Sequence, residues 1–379
     1  MKTTIVALLL TFTALMSANN IPEVNNITPS QRGDGSYMVD VYYDVYDADG
    51  DAMTITMQVS PDNGMTWTFS CTQLAGDVGP NIYSGNNKHI IWNLGTEHPN
   101  IAGNNFKFRI NAYDGVDVDP FSWSYVTAGD YTWGENDQIQ NIDYNYMVMT
   151  YEVTNAEFKQ FLDEALGMGS VWLAGDYVEG YYPGDTNTTA GNQNFYTLGV
   201  PSGSYHYARI SFSEGEFFIN EPSGYSSGDF DNHPVVYVTY FGAWAFAQHY
   251  GLRLPTEQEW EKAARGLTGY EYPWGNSLSG DRANYRDSGD PWDNGTTPVG
   301  YYNGQNGTTD STSPYGVYDM CGNVFNWTDS WYNSSSRVLR GGSWYSYSTS
   351  DYLRSWYRYY YFTPTYSNYY FGFRCARTP

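Results

Sequence analysis

Between Tyr345 and Phe371 the chain is close to a monotone: ten of 27 residues are Tyr and five are Ser. A buried Tyr must find a partner for its hydroxyl, so a core would use Leu, Ile and Val here. A disordered segment would hold few aromatics. The composition is instead that of a contact surface, where Tyr gives wide amphipathic area with few rotatable bonds to freeze, and Ser, Asn and Thr give adaptable hydrogen bonds. On either side lie segments of another kind, Arg337-Val-Leu-Arg-Gly-Gly-Ser-Trp344 and Gly372-Phe-Arg-Cys-Ala-Arg377, whose apolar residues alternate as in β-strands. Any fold must therefore supply a strand frame for a Tyr-rich insert. The candidate ligand contacts are Tyr345, Ser346, Tyr347, Ser348, Ser350, Asp351, Tyr352, Tyr357, Tyr359, Tyr360, Tyr361, Tyr366, Asn368, Tyr369 and Tyr370. Of these, Tyr345, Tyr347, Tyr352, Tyr359, Tyr361, Tyr366 and Tyr369 are expected to project from the frame and to add little to folding.

The rest of the chain limits what such an insert can serve. With 18 Lys+Arg against 41 Asp+Glu the formal charge is −23, which repels phosphate backbones and anionic lipid, so nucleic acid is excluded as a partner. Lys2, the apolar run from Ile5 to Met16 and the small residues Ser17 and Ala18 read as a secretory signal over residues 1–19. No later apolar run has the length of a membrane helix, which predicts a secreted or cell-surface protein without membrane insertion. Cys71, Cys321 and Cys375 allow at most one intramolecular disulfide, Cys321 with Cys375, or else buried free thiols.

Over residues 20–128, short alternating runs such as Met38 to Val45, Met53 to Val59, His89 to Trp92 and Phe106 to Ala112 are separated by turn pairs including Asn63-Gly64. This spacing predicts an all-β sandwich of immunoglobulin or fibronectin type, serving as a spacer. Asp47-Ala-Asp-Gly-Asp51 has the clustered carboxylates of a Ca²⁺ loop, but Asp and Gly also make ordinary turns, and the turn is favoured.

Helical signals enter in residues 129–379. Glu152 to Leu162 carries a Thr or Asn cap and apolar residues at helical spacing, Tyr240 to Tyr250 is an apolar helix, and Thr256 with Glu259 forms a capping box ahead of a third. Taken in order, these resemble a known family: His233-Pro-Val-Val-Tyr-Val-Thr239, Leu252-Arg-Leu-Pro-Thr-Glu-Gln-Glu-Trp260, Tyr272-Pro-Trp-Gly275, Ala283-Asn-Tyr285, Tyr315-Gly-Val-Tyr-Asp-Met-Cys-Gly-Asn-Val-Phe-Asn-Trp327 and the two framing segments. That family is the formylglycine-generating enzymes, or sulfatase-modifying factors. The resemblance implies an α+β fold, an elaborated C-type-lectin-like domain with little regular secondary structure, preceded here by the all-β sandwich.

For chemistry the resemblance implies a loss. Aerobic members bind copper through two cysteines shortly after the Arg-Gly-Gly-Ser segment, and Cu(I) needs such soft ligands. The matching positions here are Ser346 and Asp351, and no Cys lies between residues 322 and 374, so no copper is expected. Related sulfoxide synthases hold iron with three His; the five His of this chain are not grouped as a metal site, and His233 before Pro234 reads as structural. Calcium is the one cofactor left, in a structural role. The resemblance puts one site on Asn284, the Tyr285 carbonyl and Asp290 or Asp293, and a second on Asp319, the Gly322 and Val324 carbonyls and Asn326. Asn326 departs from the Glu usual in the family, which weakens the second site; a turn held by Asn and Asp alone is the alternative there.

Many non-enzymatic members of this fold class are variable proteins of diversity-generating retroelements, in which a reverse transcriptase rewrites adenines of a C-terminal coding repeat. From the Asn codon AAC such changes reach Tyr, Ser, Thr, Asp, Gly, His and Phe among others, and of these Tyr, Ser, Thr, Asp and Phe occur in the insert. Leu353, Arg354, Arg358 and Pro364 stand between the Tyr-rich runs and read as fixed scaffold. The resemblance thus implies an exported protein that binds an extracellular protein or glycan through its insert. The alternative is a family enzyme working without the usual cysteine pair.

Overall fold

The computed structural model describes residues 22–378 apart from 49, 62–68, 70, 100, 102–104, 114–120, 200–206, 293–294, 306 and 350. The signal segment, the Asn63-Gly64 turn, Asp293 and Ser350 therefore lie outside the described residues. The chain divides into two compact units, residues 1–119 and 120–379.

In the first unit, alternation of apolar and polar residues builds β1 (Glu23–Gln31), β2 (Val39–Tyr46), β3 (Met53–Ser60), β4 (Leu74–Gly76), β5 (Gly79–Ile82), β6 (Gly85–Trp92) and β7 (Lys107–Tyr113), with the short helix α1 (Leu94–Glu97) after β6. They form two antiparallel sheets, ordered β1-β2-β6-β4 and β5-β3-β7. Successive strand residues point to opposite faces, so Val39, Val41, Tyr43 and Val45 of one sheet and Met53, Ile55, Met57 and Val59 of the other are buried. These two rows share one core with Ile90, Trp92 and Ile110, the two-sheet arrangement that the spacing predicts. Asp47 accepts the Asp51 amide at 3.0 Å, a turn closed by its own carboxylate.

The second unit is α+β. Its elements are β8 (Trp123–Val126), β9 (Gly129–Trp133), β10 (Gln138–Ile142), β11 (Tyr146–Met149), α2 (Asn155–Gly167), β12 (Val171–Ala174), β13 (Tyr177–Tyr182), β14 (Gly191–Thr197), β15 (Ile210–Ser213), β16 (Glu216–Ile219), α3 (Tyr240–His249), α4 (Glu257–Arg265), β17 (Phe325–Trp331), β18 (Arg337–Arg340), β19 (Phe371–Gly372) and β20 (Ala376–Arg377). Small sheets replace one large one: β20-β11-β8, β12-β13-β14 and β18-β17-β19 have three strands each. The unit begins before residue 129, because β8 pairs antiparallel with β11 and Val126 is fully buried opposite Tyr146. Thr154 with Glu157 and Thr256 with Glu259 close the two capping boxes that start α2 and α4. Apolar faces of α2 and α3 meet in the main core, where Phe158, Phe161 and Phe246 pack with Phe373 beside β19.

A candidate binding face and its anchors

β17 is the centre of its sheet, antiparallel to β18 with Asn326 opposite Arg340 and parallel to β19 with Phe325 opposite Phe371. The Tyr-rich insert leaves from β18 and returns at β19, so both its ends are fixed on one buried strand. Leaving needs two left-handed residues. Gly341 and Gly342 have φ of +98° and +74°, and a Cβ on Gly342 would lie 2.7 Å from Leu353 and 2.8 Å from the Tyr352 carbonyl.

The path of the insert is held by arginines paired with acids, of which Glu257 and Glu261 are buried. Arg340, with no exposed surface, donates to Glu261 at 2.7 Å and to the Ser355 and Tyr357 carbonyls at 3.1 and 3.2 Å. Arg358 meets Glu257 through two bonds of 2.6 Å, and Arg354 pairs with Glu271 and with Asp351. Leu353 and Pro364 are buried, and Tyr359 exchanges two backbone bonds with Leu339 at 2.8 and 2.9 Å. Leu353, Arg354, Arg358 and Pro364 are the four interposed positions that read as scaffold in the sequence. The acidic partners of Arg340, Arg354 and Arg358 were not read from the sequence. A signal for two of them was present: Glu257 and Glu261 flank Trp260 in a helix whose apolar positions include Ala263 and Ala264, so acids sit where inward residues belong.

Between these anchors the rings form a continuous sheet of aromatic contacts. Tyr345, Tyr347, Tyr361 and Tyr366 stand out furthest, at 42%, 54%, 61% and 42% exposure. Ser348 and Asp351 are exposed with them. Tyr345 stacks on Tyr370 and meets Tyr369 edge-on, Tyr359 stacks on Phe325 at 4.7 Å, and Tyr366 stacks on Phe362 at 4.4 Å. Two scaffold residues extend the face: Arg286 lies 5.0 and 4.5 Å from the Tyr345 and Tyr347 ring centres, and Tyr332 stacks on Tyr360 at 4.0 Å. Nothing in their local sequence marks them.

Ser346 and three of the seven tyrosines expected to project are corrected. Ser346 is buried; its hydroxyl accepts the Ser343 amide and its carbonyl accepts the Arg286 amide, so it shapes a turn. Tyr359 is a paired structural residue. Tyr352, Tyr369 and Tyr370 are likewise half-buried against the main core, as the insert folds back over its frame, and Tyr357, Tyr360 and Asn368 are half-buried too. The seven projecting tyrosines thus reduce to four. Burial, with neighbouring phenols, pushes Tyr359 and Tyr369 up to about 12, so these hydroxyls remain neutral donors.

The first set of metal candidates lies along one loop lining a cleft of about 440 Å³. Asn284 gives its amide nitrogen to the Gly295 carbonyl at 2.9 Å, the Tyr285 carbonyl accepts the Ser288 amide, and the Asp290 carboxylate, pushed up by burial, accepts Ser288 Oγ and the Trp292 amide. Hard oxygen donors of this kind fit Ca²⁺. The second set does not fit it. Asn326 Oδ1 accepts from Trp260 at 3.0 Å and from Arg374 at 2.8 Å, while its amide nitrogen covers Glu152 and the Val324 carbonyl. Asp319, pushed up to about 6 by burial, accepts the Gly300 amide at 2.6 Å, and the Gly322 amide is tied to the Gly341 carbonyl. The physical reason is Arg374: fully buried and 4.0 Å from Glu152, it supplies the positive charge that these acids need.

Cys321 and Cys375 are free buried thiols in separate clusters, both pushed up by burial. His233 is a packed imidazole between Phe230 and Trp292, with Nδ1 2.9 Å from Thr296 Oγ1. At the positions matching the copper-binding pair, Ser346 is the buried turn residue and Asp351 the exposed partner of Arg354.

The family model described as "Sulfatase-modifying factor enzyme 1-like domain" matches residues 120–379. Among curated relatives, "Serine/threonine-protein kinase pkn1" of Chlamydia caviae is 37% identical over 190 residues, 45% of this chain and 27% of its own length. "Inactive C-alpha-formylglycine-generating enzyme 2" of Bos taurus is 41% identical over 140 residues, 34% of this chain and 44% of its own length. "Formylglycine-generating enzyme" of Mycobacterium tuberculosis is 33% identical over 209 residues, 51% of this chain and 66% of its own length. The chain spans less than half the length of the first two.

Proposed function

The chain belongs to the sulfatase-modifying factor enzyme 1-like family over residues 120–379, and from that premise we propose that it is a binding protein whose insert is a displayed, exchangeable face. The observation that carries this reading is the division within the insert. The residues interposed among the Tyr-rich runs, Leu353, Arg354, Arg358 and Pro364, are buried or paired with acids, and the runs themselves supply all four outward tyrosines. Diversification by a retroelement would then change the contact surface, sparing Arg340, Leu353, Arg354, Arg358 and Pro364 where their codons carry no adenine. The ligand on this reading is an extracellular protein or glycan, reached by export through the signal segment. No helix among the described residues is long and apolar enough to cross a membrane.

Formylglycine generation has no part in this reading, since Ser346 and Asp351 cannot hold copper as thiolates do. The printed name of the inactive bovine relative supports the same direction. A structural Ca²⁺ on Asn284, the Tyr285 carbonyl and Asp290 would brace the loop that carries Arg286.

The test replaces Tyr345, Tyr347, Tyr361 and Tyr366 with Ser, singly and together, and measures melting temperature beside binding to an array of extracellular proteins and glycans. Each single change should alter stability by less than about 0.5 kcal/mol. At least one should weaken ligand binding by about 2 kcal/mol or more, roughly thirtyfold. An unfolded fourfold variant, or copper-dependent turnover of a cysteine peptide by the native chain, would overturn the proposal.

A further inference from the structure

Where the last part of the insert meets β14 and the segment leading into α3, there is a cleft of about 560 Å³, within the size range of small-ligand sites. None of its ten lining residues is charged, although the chain carries a formal charge of −23. Aromatic faces and short polar groups share the wall. Tyr366 and Tyr369 come from the insert, and Asn194 and Tyr237 from the scaffold. The side-chain nitrogens of Asn194 and Asn368 donate to nothing among the described residues, while Asn368 Oδ1 accepts the Tyr369 amide at 2.8 Å.

The wall is held in place rather than adaptable. Thr239, the cap of α3, donates its hydroxyl to the Asn194 carbonyl at 2.6 Å. Tyr237 has φ of +62°, a left-handed conformation that costs a bulky residue free energy and persists only where surroundings enforce it. Here its amide donates to the Asn368 carbonyl at 2.9 Å and its carbonyl accepts the Thr197 amide at 3.2 Å, so scaffold and insert fix it from both sides.

We propose that this cleft binds an uncharged saccharide, with sugar rings against Tyr366 and Tyr369 and sugar hydroxyls met by the Asn194 and Asn368 amides. A pyranose offers an apolar C–H face and a rim of groups that both donate and accept, which matches tyrosine rings interleaved with amides. An anionic ligand finds no opposite charge here. An apolar one would strip water from the two amides and return no hydrogen bond. This inference rests on the insert being a binding face, since Tyr366, Asn368 and Tyr369 belong to it. Asn194 and Tyr237 lie outside the rewritable stretch, so a basal affinity for sugar would survive exchange of the insert.

The full chain is titrated against neutral di- to pentasaccharides of hexoses and N-acetylhexosamines, their sialylated and sulfated counterparts, and peptides. Binding to at least one neutral saccharide is expected. Asn194→Asp and Asn368→Asp keep the side-chain oxygen and lose the donor, so each should weaken that binding about fivefold with melting temperature preserved. Tyr270→Ser, at an exposed tyrosine outside both the cleft and the insert, should leave it unchanged. The proposal is overturned if millimolar neutral saccharide is not bound, if only acidic sugars or peptides bind, or if neither Asn variant matters. Should sugar binding fail while Tyr345, Tyr347 and Tyr361 still govern capture of an extracellular protein, the binding face stands and the saccharide is wrong.

Discussion

Replacing Arg340 with Met keeps much of the side-chain volume and removes a charge with five donors. Glu261 retains Arg265 at 2.7 Å but loses the bond to its other oxygen. The Ser355 and Tyr357 carbonyls lose their donor, the first on a residue with no exposed surface. Breaking a buried charged pair from one side costs about 3–5 kcal/mol, and a carbonyl left dry and unpaired accounts for about 1–3 kcal/mol of such a total. In a unit of this size each kcal/mol moves the midpoint by about 2–4 °C, so the second unit should melt about 6–20 °C lower. Arg358→Met is the control. Its side chain is 37% exposed and Glu257 keeps Arg340 at 3.6 Å, so the loss should be about 1 kcal/mol or less. Differential scanning calorimetry on the full chain reads the order of the two variants. An Arg340→Met midpoint at or above that of Arg358→Met would refute the placing of Arg340 as the central anchor of the insert.

His233 gives a pH signature: burial pushes its imidazole down to about 3 from an ordinary 6.5, so between those values the unfolded chain binds a proton that the folded chain does not. Stability present above pH 6.5 is therefore lost as pH falls, by up to about 1.4 kcal/mol per pH unit, and His233→Gln should flatten that slope in thermal melts; an unchanged slope would clear His233 of responsibility. If Asn284, Tyr285 and Asp290 hold Ca²⁺, chelator should lower the midpoint of the second unit by the linkage amount RT ln(1 + [L]/Kd), and Asp290→Asn should abolish the response. A midpoint indifferent to chelator removes the metal. Secreted material should begin near Asn19 or Asn20 on N-terminal sequencing, and intact Met1 would remove the extracellular role.

What could be read from the sequence was local. The capping pairs Thr154 with Glu157 and Thr256 with Glu259 are three residues apart and announce α2 and α4 without tertiary help. The alternation of β2 and β3 likewise contains its own inside and outside. Composition marks the insert but cannot say which tyrosine faces inward, because that depends on where the returning chain crosses Leu339. Tyr359 and Tyr361 look alike in sequence, and one pairs its backbone while the other is 61% exposed. The second calcium set failed for the same reason: Asn326 meets Glu152 across 174 positions, and Arg374 closes the group from the far end of the chain. Trp123 to Val126 reads as a strand in either unit, and only its pairing with β11 assigns it to the second.

The order β18-β17-β19 has a consequence for length. Adjacent strands lie about 4.8 Å apart, so the take-off and landing points of the insert are about 10 Å from each other whatever runs between them. The entropy of closing a tethered segment grows only logarithmically, and doubling its length costs about 0.6 kcal/mol. Residues could therefore be added to the exposed stretches between the anchors of the insert at less thermodynamic cost than removing the single guanidinium of Arg340. The strands determine a span, and a span can be bridged by many chains.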